Sequence, residues 1–511
     1  MTSVDRDTTL SLFRESIDKD SKHAHIFVIF GASGDLAKKK IYPTLWRLYR
    51  DNLLPDNISF VGYARSAMNV SELRKSTEKY LDKVKEQTKI EEFWSDNYFF
   101  QGMYDKDEDF KRFQVFMEEN FGKKTCIVFY LAVPPSIFAK IGTGVAKYFP
   151  CEENSKKYSR IIVEKPFGHD LKSSEILSKE LAINFHESQI YRIDHYLGKE
   201  MVQNLLMLRF GNIFFEPLWS ANHIDNVMIS FKEPFGTHGR GGYFDSYGII
   251  RDVIQNHLIQ ILSLVAMEKP VSKSADDIRE EKVRVLRLIE PIKTENVVIG
   301  QYVGDKSADK NSEARFGYTD DETVPKNSIT ETYACMVLHV NNDRWKNVPF
   351  ILRAGKALSC RKAEVRIQFK PVSVNIFDDV LYRNELIIRV QPNESVYMKL
   401  MTKSPGMSYK PSVTELDLTY SKRYRNLVLP DAYDKLIIDV FNGNQTNFVR
   451  TDELQHSWKL FDPILNHIRE KKIKPFPYTY GSRNGPDEAD ELIKKAGFIY
   501  SKDSYFYPET L

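Results

Sequence analysis

Cysteine is scarce: the 511 residues contain four, Cys126, Cys151, Cys335 and Cys360. They form no Cys-x-x-Cys pair and no His/Cys spacing that would frame a metal. This excludes a disulfide scaffold and a zinc-ribbon fold and leaves free thiols in a reducing compartment. Long apolar runs are missing too. No stretch approaches the ~20 residues that a membrane-spanning helix needs, and the opening MTSVDRDTTLSLFRESIDKDSK has no apolar signal core. Asp5, Asp7, Glu15, Asp18 and Asp20 argue against an acid-poor transit peptide. Nor is there a surplus of one charge: the formal net charge is +3, so no global field draws the chain to nucleic acid or to an anionic membrane. A cytoplasmic protein is the plain expectation, with a local basic pocket still open to it.

What is present is the composition of an ordinary globular chain, 42% hydrophobic and 28% charged. At this length more than one domain is expected, because single cores stop growing near ~250–300 residues. The first half alternates short apolar runs with amphipathic stretches. His25 to Phe30 reads as a buried strand, Gly31-Ala32-Ser33-Gly34-Asp35-Leu36-Ala37 follows at once, and Lys38 to Arg50 has helical spacing. Strand, glycine turn and helix are the context of a dinucleotide fingerprint. Gly31 permits the turn, Gly34 lets backbone approach a pyrophosphate, Ala37 allows close helix packing, and the helix start offers N–H groups to phosphate. The spacing is GxxGxxA rather than GxGxxG, so the motif needs its context. The next strand, Ile58 to Ala64, ends at Arg65, where an NAD site would carry an acid; an Arg there accommodates a 2′-phosphate and points to NADP.

Amphipathic helices are expected over 70–86 and 107–120, then a buried strand from Thr125 to Val133 whose carboxyl end, with Tyr130, sits beside the cofactor. Residues 147–159 read as a surface connection. Arg160 to Val163 runs into Glu164-Lys165-Pro166-Phe167-Gly168, and this puts Lys165 at the edge where cofactor and substrate meet. After a helix over 173–184, Gln189 to Asp194 is the last strand of this half. It delivers Tyr191-Arg192-Ile193-Asp194-His195-Tyr196-Leu197-Gly198-Lys199-Glu200, a cluster that suits an anion and a proton-transfer group as well as a solvated turn. A helix start over 198–206 carries Lys199 in its first turn. His223 to Lys232 is strand-like and ends at Glu233; the glycine-rich run over 237–242 reads as a surface loop. From Tyr243 to Met267 a long helical pattern holds Asp252 and His257, which at ~3.6 residues per turn stand roughly 140° apart. Strands alternate over 329–340, 348–353, 363–370 and 384–391, a further one is expected from Thr414 to Tyr420, and a helix over 431–441 reads as ordinary packing.

GASGDLAKKKIYPTLW, IIVEKPFGHDL, RIDHYLGKE and GIIRDVIQNHLIQ together resemble glucose-6-phosphate dehydrogenases of the eukaryotic, NADP-dependent type, from about residue 25 to the C-terminus. The resemblance implies an α/β architecture: a flexible segment 1–24, a Rossmann-like NADP-binding domain over 25–197, and over 198–511 an α+β domain whose large, mostly antiparallel sheet serves the substrate and oligomerisation. It implies oxidation of glucose 6-phosphate at C1 to 6-phospho-glucono-1,5-lactone with hydride transfer to NADP, the first oxidative step of the pentose phosphate pathway, and no metal. His257 matches the family's general base and Asp194 the carboxylate that orients it, with Lys165 beside them. The cofactor positions are Gly31, Ala32, Ser33, Gly34, Asp35, Leu36, Ala37, Lys38, Arg65, Tyr130 and Lys165. His195, Tyr196 and Lys199 match the grip on the 6-phosphate; Lys165, Glu233, Asp252, Lys356, Arg361 and Gln391 match contacts to the sugar.

The resemblance also implies a second, structural NADP at Lys362, Arg366, Arg389, Tyr397, Lys399, Asp417, Arg483, Tyr500 and Tyr507. The family often places a Trp near its C-terminus against that cofactor; Ser504-Tyr505-Phe506-Tyr507 has none. A homodimer or homotetramer is implied, without nucleic-acid or membrane partners. Two other readings stay open: a silent NADP-binding sensor, which would be expected to lose Asp194 and His257 first, and a dehydrogenase of unphosphorylated sugars, which leaves His195, Tyr196 and Lys199 without a job.

Overall fold

The computed structural model describes residues 10, 11, 14, 23–82, 87–123, 125–150, 158–237, 239–377, 379–420 and 430–500. Most of the segment 1–24, Cys151 and the C-terminal run with Tyr507 lie outside the described residues. Two compact units are formed. The first takes the described residues of Met1–Lys199, Val271–Arg279 and Asn426–Gln455; the second takes those of Glu200–Pro270, Glu280–Arg425 and His456–Leu511.

The first unit is built on a parallel sheet of β1 (Ala24–Phe30), β2 (Ile58–Ala64), β3 (Asn97–Gln101), β4 (Thr125–Leu131), β5 (Ser159–Val163) and β6 (Ile190–Arg192) in the order β3-β2-β1-β4-β5-β6. Its central strands β1 and β4 are near-continuous apolar runs buried along almost their whole length, as expected of strands covered on both faces. The order reverses between β1 and β4, and the crevice at their carboxyl ends is where such sheets bind ligands. Helices Tyr42–Arg50 and Ala432–Asn442 share one buried cluster with β1 through Tyr42, Leu45, Trp46, Leu436 and Ile437. Arg47 fixes their pairing by a 2.8 Å ion pair to Asp434.

Some elements differ from expectation. The helix expected over 70–86 is Val70–Thr77, capped by the Asn69 side chain, and tightens into a 3₁₀ turn at Glu78–Tyr80; 83–86 lie outside the described residues. β3, an aromatic NYFFQ segment in polar surroundings, has too short a run to be legible as a strand.

The second unit carries a mixed sheet of β7 (Ile224–Lys232), β8 (Val297–Val303), β9 (Tyr333–His339), β10 (Pro349–Gly355), β11 (Lys362–Phe369), β12 (Glu385–Gln391), β13 (Ser395–Lys403), β14 (Pro411–Thr419) and β15 (Phe476–Thr479). The order is β14-β13-β12-β11-β7-β10-β9-β8-β15. All neighbours are antiparallel except β7 with β10 and β8 with β15. The single long helix expected from Tyr243 to Met267 is broken. Gly241–Asp245 forms a short helix, so the glycine-rich run is a loop only up to Arg240. The chain then turns at Gly248 with φ +69°, and Ile250–Leu258 is π-helical before the α-helix Ile259–Ala266. This π segment packs against β7 and β10.

Candidate active site

In the first unit the turn after β1 is held from behind. Gly31 and Ala32 donate their N–H groups to the Tyr63 carbonyl at the end of β2, at 2.9 and 3.3 Å, and Gly34 donates to the Gly31 carbonyl at 2.8 Å. Gly31 has φ +85°, and a Cβ there would lie 2.3 Å from the Ala132 carbonyl oxygen just past β4, so only glycine lets the two strand ends close up. Ala37 is buried and opens a π-helical turn, Ala37–Ile41, before the α-helix begins. Lys39 is tied to Asp35 at 2.7 Å on the exposed side. Arg65 is exposed at the end of β2, its guanidinium 5.7 Å from the Tyr104 ring centre. The turn and this exposed fork together fit a dinucleotide with a phosphate monoester on its ribose.

Tyr130 is fully buried and donates its hydroxyl to Glu164. Tyr433, from the helix Ala432–Asn442, hydrogen-bonds to the same carboxylate. Burial pushes the Glu164 carboxyl up, against the opposing pull of these two phenols and of Lys165. Next along the chain is Lys165, half-buried and joined to Pro166 by a cis bond. The stretch after β6 folds as a run of turns. Asp194 is buried and its Oδ1 accepts the Tyr196 N–H at 2.9 Å; Leu197, Gly198 and Lys199 donate in sequence to the carbonyls of Asp194, His195 and Tyr196. Lys199 stands in this turn, one residue before the helix Glu200–Phe210, rather than in its first turn. Gly198 is needed for close approach, since a Cβ would lie 2.6 Å from the Ala432 carbonyl. His195 is half-buried, and its ring stacks on Tyr433 with centroids 6.1 Å apart and planes 10° from parallel. Tyr196 is buried beside it. Tyr433 was not legible as a site residue: its helix reads as packing, and nothing in the sequence ties position 433 to position 195.

In the second unit the π register corrects one expectation. Five residues at 3.6 per turn would set Asp252 and His257 roughly 140° apart. In a helix with i→i+5 bonding, residues five apart come back to nearly the same face. His257 is buried and Asp252 half-buried. The helix is pinned on its other side by Gln255, whose amide donates to Ser457 Oγ at 3.2 Å while Ser457 donates to the Gln255 carbonyl at 2.7 Å. Past β7, Glu233 pairs with Lys356 at 2.6 Å, and the ammonium stands 5.3 Å from the Phe244 ring centre. Arg361 is exposed at the start of β11, and Gln391 closes β12 half-buried.

The basic residues expected for a second dinucleotide lie on adjacent strands. Lys362 pairs with Glu364 at 3.2 Å, Arg366 pairs with Glu385, and Arg389 stands 3.9 Å from Glu364 and 3.5 Å from the Tyr397 hydroxyl. Burial raises the Glu364 carboxyl, but Lys362, Arg366 and Arg389 outweigh it and hold the group below its usual range. Lys399 pairs with Glu415 at 3.6 Å, and Asp417 accepts from Thr419. The structure adds two basic residues that sequence reading missed. Lys232 is opposite Lys362 in the sheet register and donates to the Arg483 carbonyl at 2.5 Å. Arg353 on β10 donates to the Tyr500 hydroxyl at 3.0 Å. Burial, with Arg353 and Lys362 close by, pushes the Lys232 ammonium well below its ordinary value. The available signal was a cation closing the buried strand β7 and another inside the otherwise apolar β10.

Comparison with known proteins covers nearly the whole chain. Residues 28–204 match the glucose-6-phosphate dehydrogenase NAD-binding domain, and 206–501 match the C-terminal domain of the same family. The chain is 55% identical over 497 residues to a glucose-6-phosphate 1-dehydrogenase of Caenorhabditis elegans, covering 96% of this chain and 94% of that one. It is 51% identical to glucose-6-phosphate 1-dehydrogenase 2 of Mus musculus, with 98% and 97% covered. Among solved structures, a glucose-6-phosphate dehydrogenase in complex with glucose 6-phosphate superposes with TM-score 0.88 at 45% identity, over 94% of this chain and 99% of that one. The Mycobacterium avium glucose-6-phosphate 1-dehydrogenase gives 0.82 at 30%, over 95% and 100%.

Proposed function

The chain belongs to the glucose-6-phosphate dehydrogenase family, and from that premise we propose how its residues divide the oxidation of glucose 6-phosphate among them. Its activity is that of a glucose-6-phosphate 1-dehydrogenase: the C1 hydroxyl is oxidised to the 1,5-lactone. NADP, when bound, supplies the hydride acceptor. The glycine turn from Gly31 to Lys38 would hold its pyrophosphate, with Tyr130 and Lys165 near the strand ends, and Arg65 would read the 2′-phosphate. His195, Tyr196 and Lys199 take the 6-phosphate of the sugar, where a cation, an imidazole and a phenol suit a dianion. Glu233, Asp252, Lys356, Arg361, Gln391 and Lys165 hold the sugar oxygens. His257 accepts the C1 hydroxyl proton, and Asp194 is assigned to fix its tautomer and stabilise the imidazolium.

The observation that supports this assignment is the π-helical register of Ile250–Leu258, which turns Asp252 and His257 towards nearly the same face. The testing experiment is NADPH formation with glucose 6-phosphate, glucose or no sugar. Rapid turnover of the phosphate ester alone is expected; equal rates with glucose would remove the phosphate role from His195, Tyr196 and Lys199.

The cluster of Lys362, Arg366, Arg389, Tyr397, Lys399, Asp417, Arg483 and Tyr500, with Tyr507 beyond the described residues, is assigned to a structural NADP. The crowding of Lys232, Arg353 and Lys362 supports it: burial and these neighbouring cations disfavour the Lys232 ammonium, and an anion bound beside them would offset that repulsion. A homodimer or homotetramer in the cytoplasm completes the reading; no described helix is long and apolar enough to cross a membrane.

A further inference from the structure

Glu331 lies in none of the roles above, yet its carboxylate is buried against the start of the helix that carries Asp252 and His257. Its backbone carbonyl accepts the Ile249 N–H at 3.0 Å, and its Oε1 accepts the Ile250 N–H at 3.3 Å. A helix start leaves such donors without partners inside the helix, and its dipole favours an acid there. The chain before the helix is shaped around the same carboxylate: Gly248 has φ +69°, and a Cβ on it would lie 2.2 Å from Glu331 Oε1. Any side chain at 248 would displace the acid.

The next residue reaches a second part of the site. The Thr332 carbonyl accepts the Lys356 N–H at 3.0 Å. The Thr332 hydroxyl pairs at 2.9 Å with Tyr478, whose own hydroxyl donates to the Lys356 carbonyl at 2.8 Å. One dipeptide therefore seats both the helix of the proposed base and the backbone of a proposed sugar-binding lysine. Positioning errors of about 1 Å can cost on the order of a hundredfold in rate, so the seat matters to the chemistry.

We propose that Glu331 is a positioning residue for the oxidation: its carboxylate docks the first turn of the Asp252–His257 helix and, through Thr332, keeps that turn in step with Lys356. The inference rests on the assignment of His257 as base. Burial pushes the Glu331 carboxyl up to about 7. Arg251, on the docked turn, draws it down and Asp245 raises it; Tyr318 also faces it and donates to Asp245 at 2.9 Å. The carboxyl therefore changes charge near neutral pH.

The test uses the full chain with NADP and glucose 6-phosphate. Glu331→Ala is expected to lower kcat by about 10- to 100-fold with KM for NADP unchanged. Glu331→Gln keeps an acceptor oxygen at the same reach and is expected to recover most of the loss. The ratio of unaltered to Glu331→Gln kcat should also rise with pH through about 7. An alanine variant that keeps kcat, a glutamine variant no better than alanine, or a ratio flat between pH 5.5 and 8.5 would each overturn the inference. The glutamine profile carries the test if the alanine variant does not fold. Absence of turnover in the unaltered chain would overturn the active-site reading and this inference with it, whereas turnover insensitive to Glu331 would overturn this inference alone.

Discussion

The ring of Tyr433 lies parallel to that of His195, 10° from coplanar orientation with centroids 6.1 Å apart, while its hydroxyl is bonded to Glu164. The stack fixes the plane of an imidazole assigned to phosphate. Aromatic pairs of this kind contribute ~0.5–1.5 kcal/mol, so Tyr433→Ala should raise KM for glucose 6-phosphate roughly 2- to 13-fold while kcat changes less. Tyr433→Phe keeps the ring and should fall between. Steady-state kinetics on both variants decide it; an unchanged KM in the alanine variant would mean that the stack is packing only.

Arg65 is exposed at the end of β2 with its guanidinium over Tyr104. Loss of one charged hydrogen bond, ~1.5–3 kcal/mol, corresponds to roughly ten- to a hundredfold. Arg65→Ala is expected to weaken NADP by that factor and leave NAD nearly unaffected. Titration of both cofactors checks it, and equal losses for the two would place the 2′-phosphate elsewhere.

His257→Asn removes the proposed base and keeps a polar side chain of similar width. A general base contributes ~10²–10⁴-fold, and kcat should fall by about that much with glucose 6-phosphate KM within a few-fold of the original. If kcat survives, the proton leaves by another group.

Lys232 has its ammonium disfavoured by burial beside Arg353 and Lys362. The sign follows: a base whose folded pKa is depressed contributes stability above its unfolded value near 10.5, and loses it as pH falls towards the folded value. At neutral pH the ligand-free protein therefore bears a cost that Lys232→Met removes. Ligand-free melting temperature should rise in the variant, and the further rise on adding NADP should shrink, because the anion that offsets the charge loses a partner. Thermal shift with and without NADP measures both; a variant with the same NADP increment as the original would take Lys232 out of the second site.

Much of the first unit was legible because its signals are local. A buried parallel strand is a run of apolar residues, and a glycine turn at its end is contiguous with it; β1, Gly31 and Ala37 could be read together. The same holds for Glu164-Lys165 and for the Asp194–Lys199 turn. What was missed has a common cause. Tyr433 reaches His195 only through the docking of a helix from the far end of the chain. Lys232 and Lys362 become neighbours only by strand register. The strand β3 is too short to show a period. The offset of Asp252 from His257 depends on whether the segment is α- or π-bonded, which apolar spacing alone does not distinguish; the segment is π-helical where it packs against β7 and β10.

The opening absences and the motifs are enough to give the class of protein and the nucleotide module, and to nominate the site residues proposed above, since composition, period and contiguous spacing are properties of the chain. Only the tertiary structure decided which groups stand behind them: Tyr433 on His195, Glu331 under the His257 helix, Lys232 against Lys362. Those relations join residues from tens to more than two hundred positions apart, and the physical agents that fix them, burial, register and hydrogen bonds to distant backbone, exist only once the chain has folded.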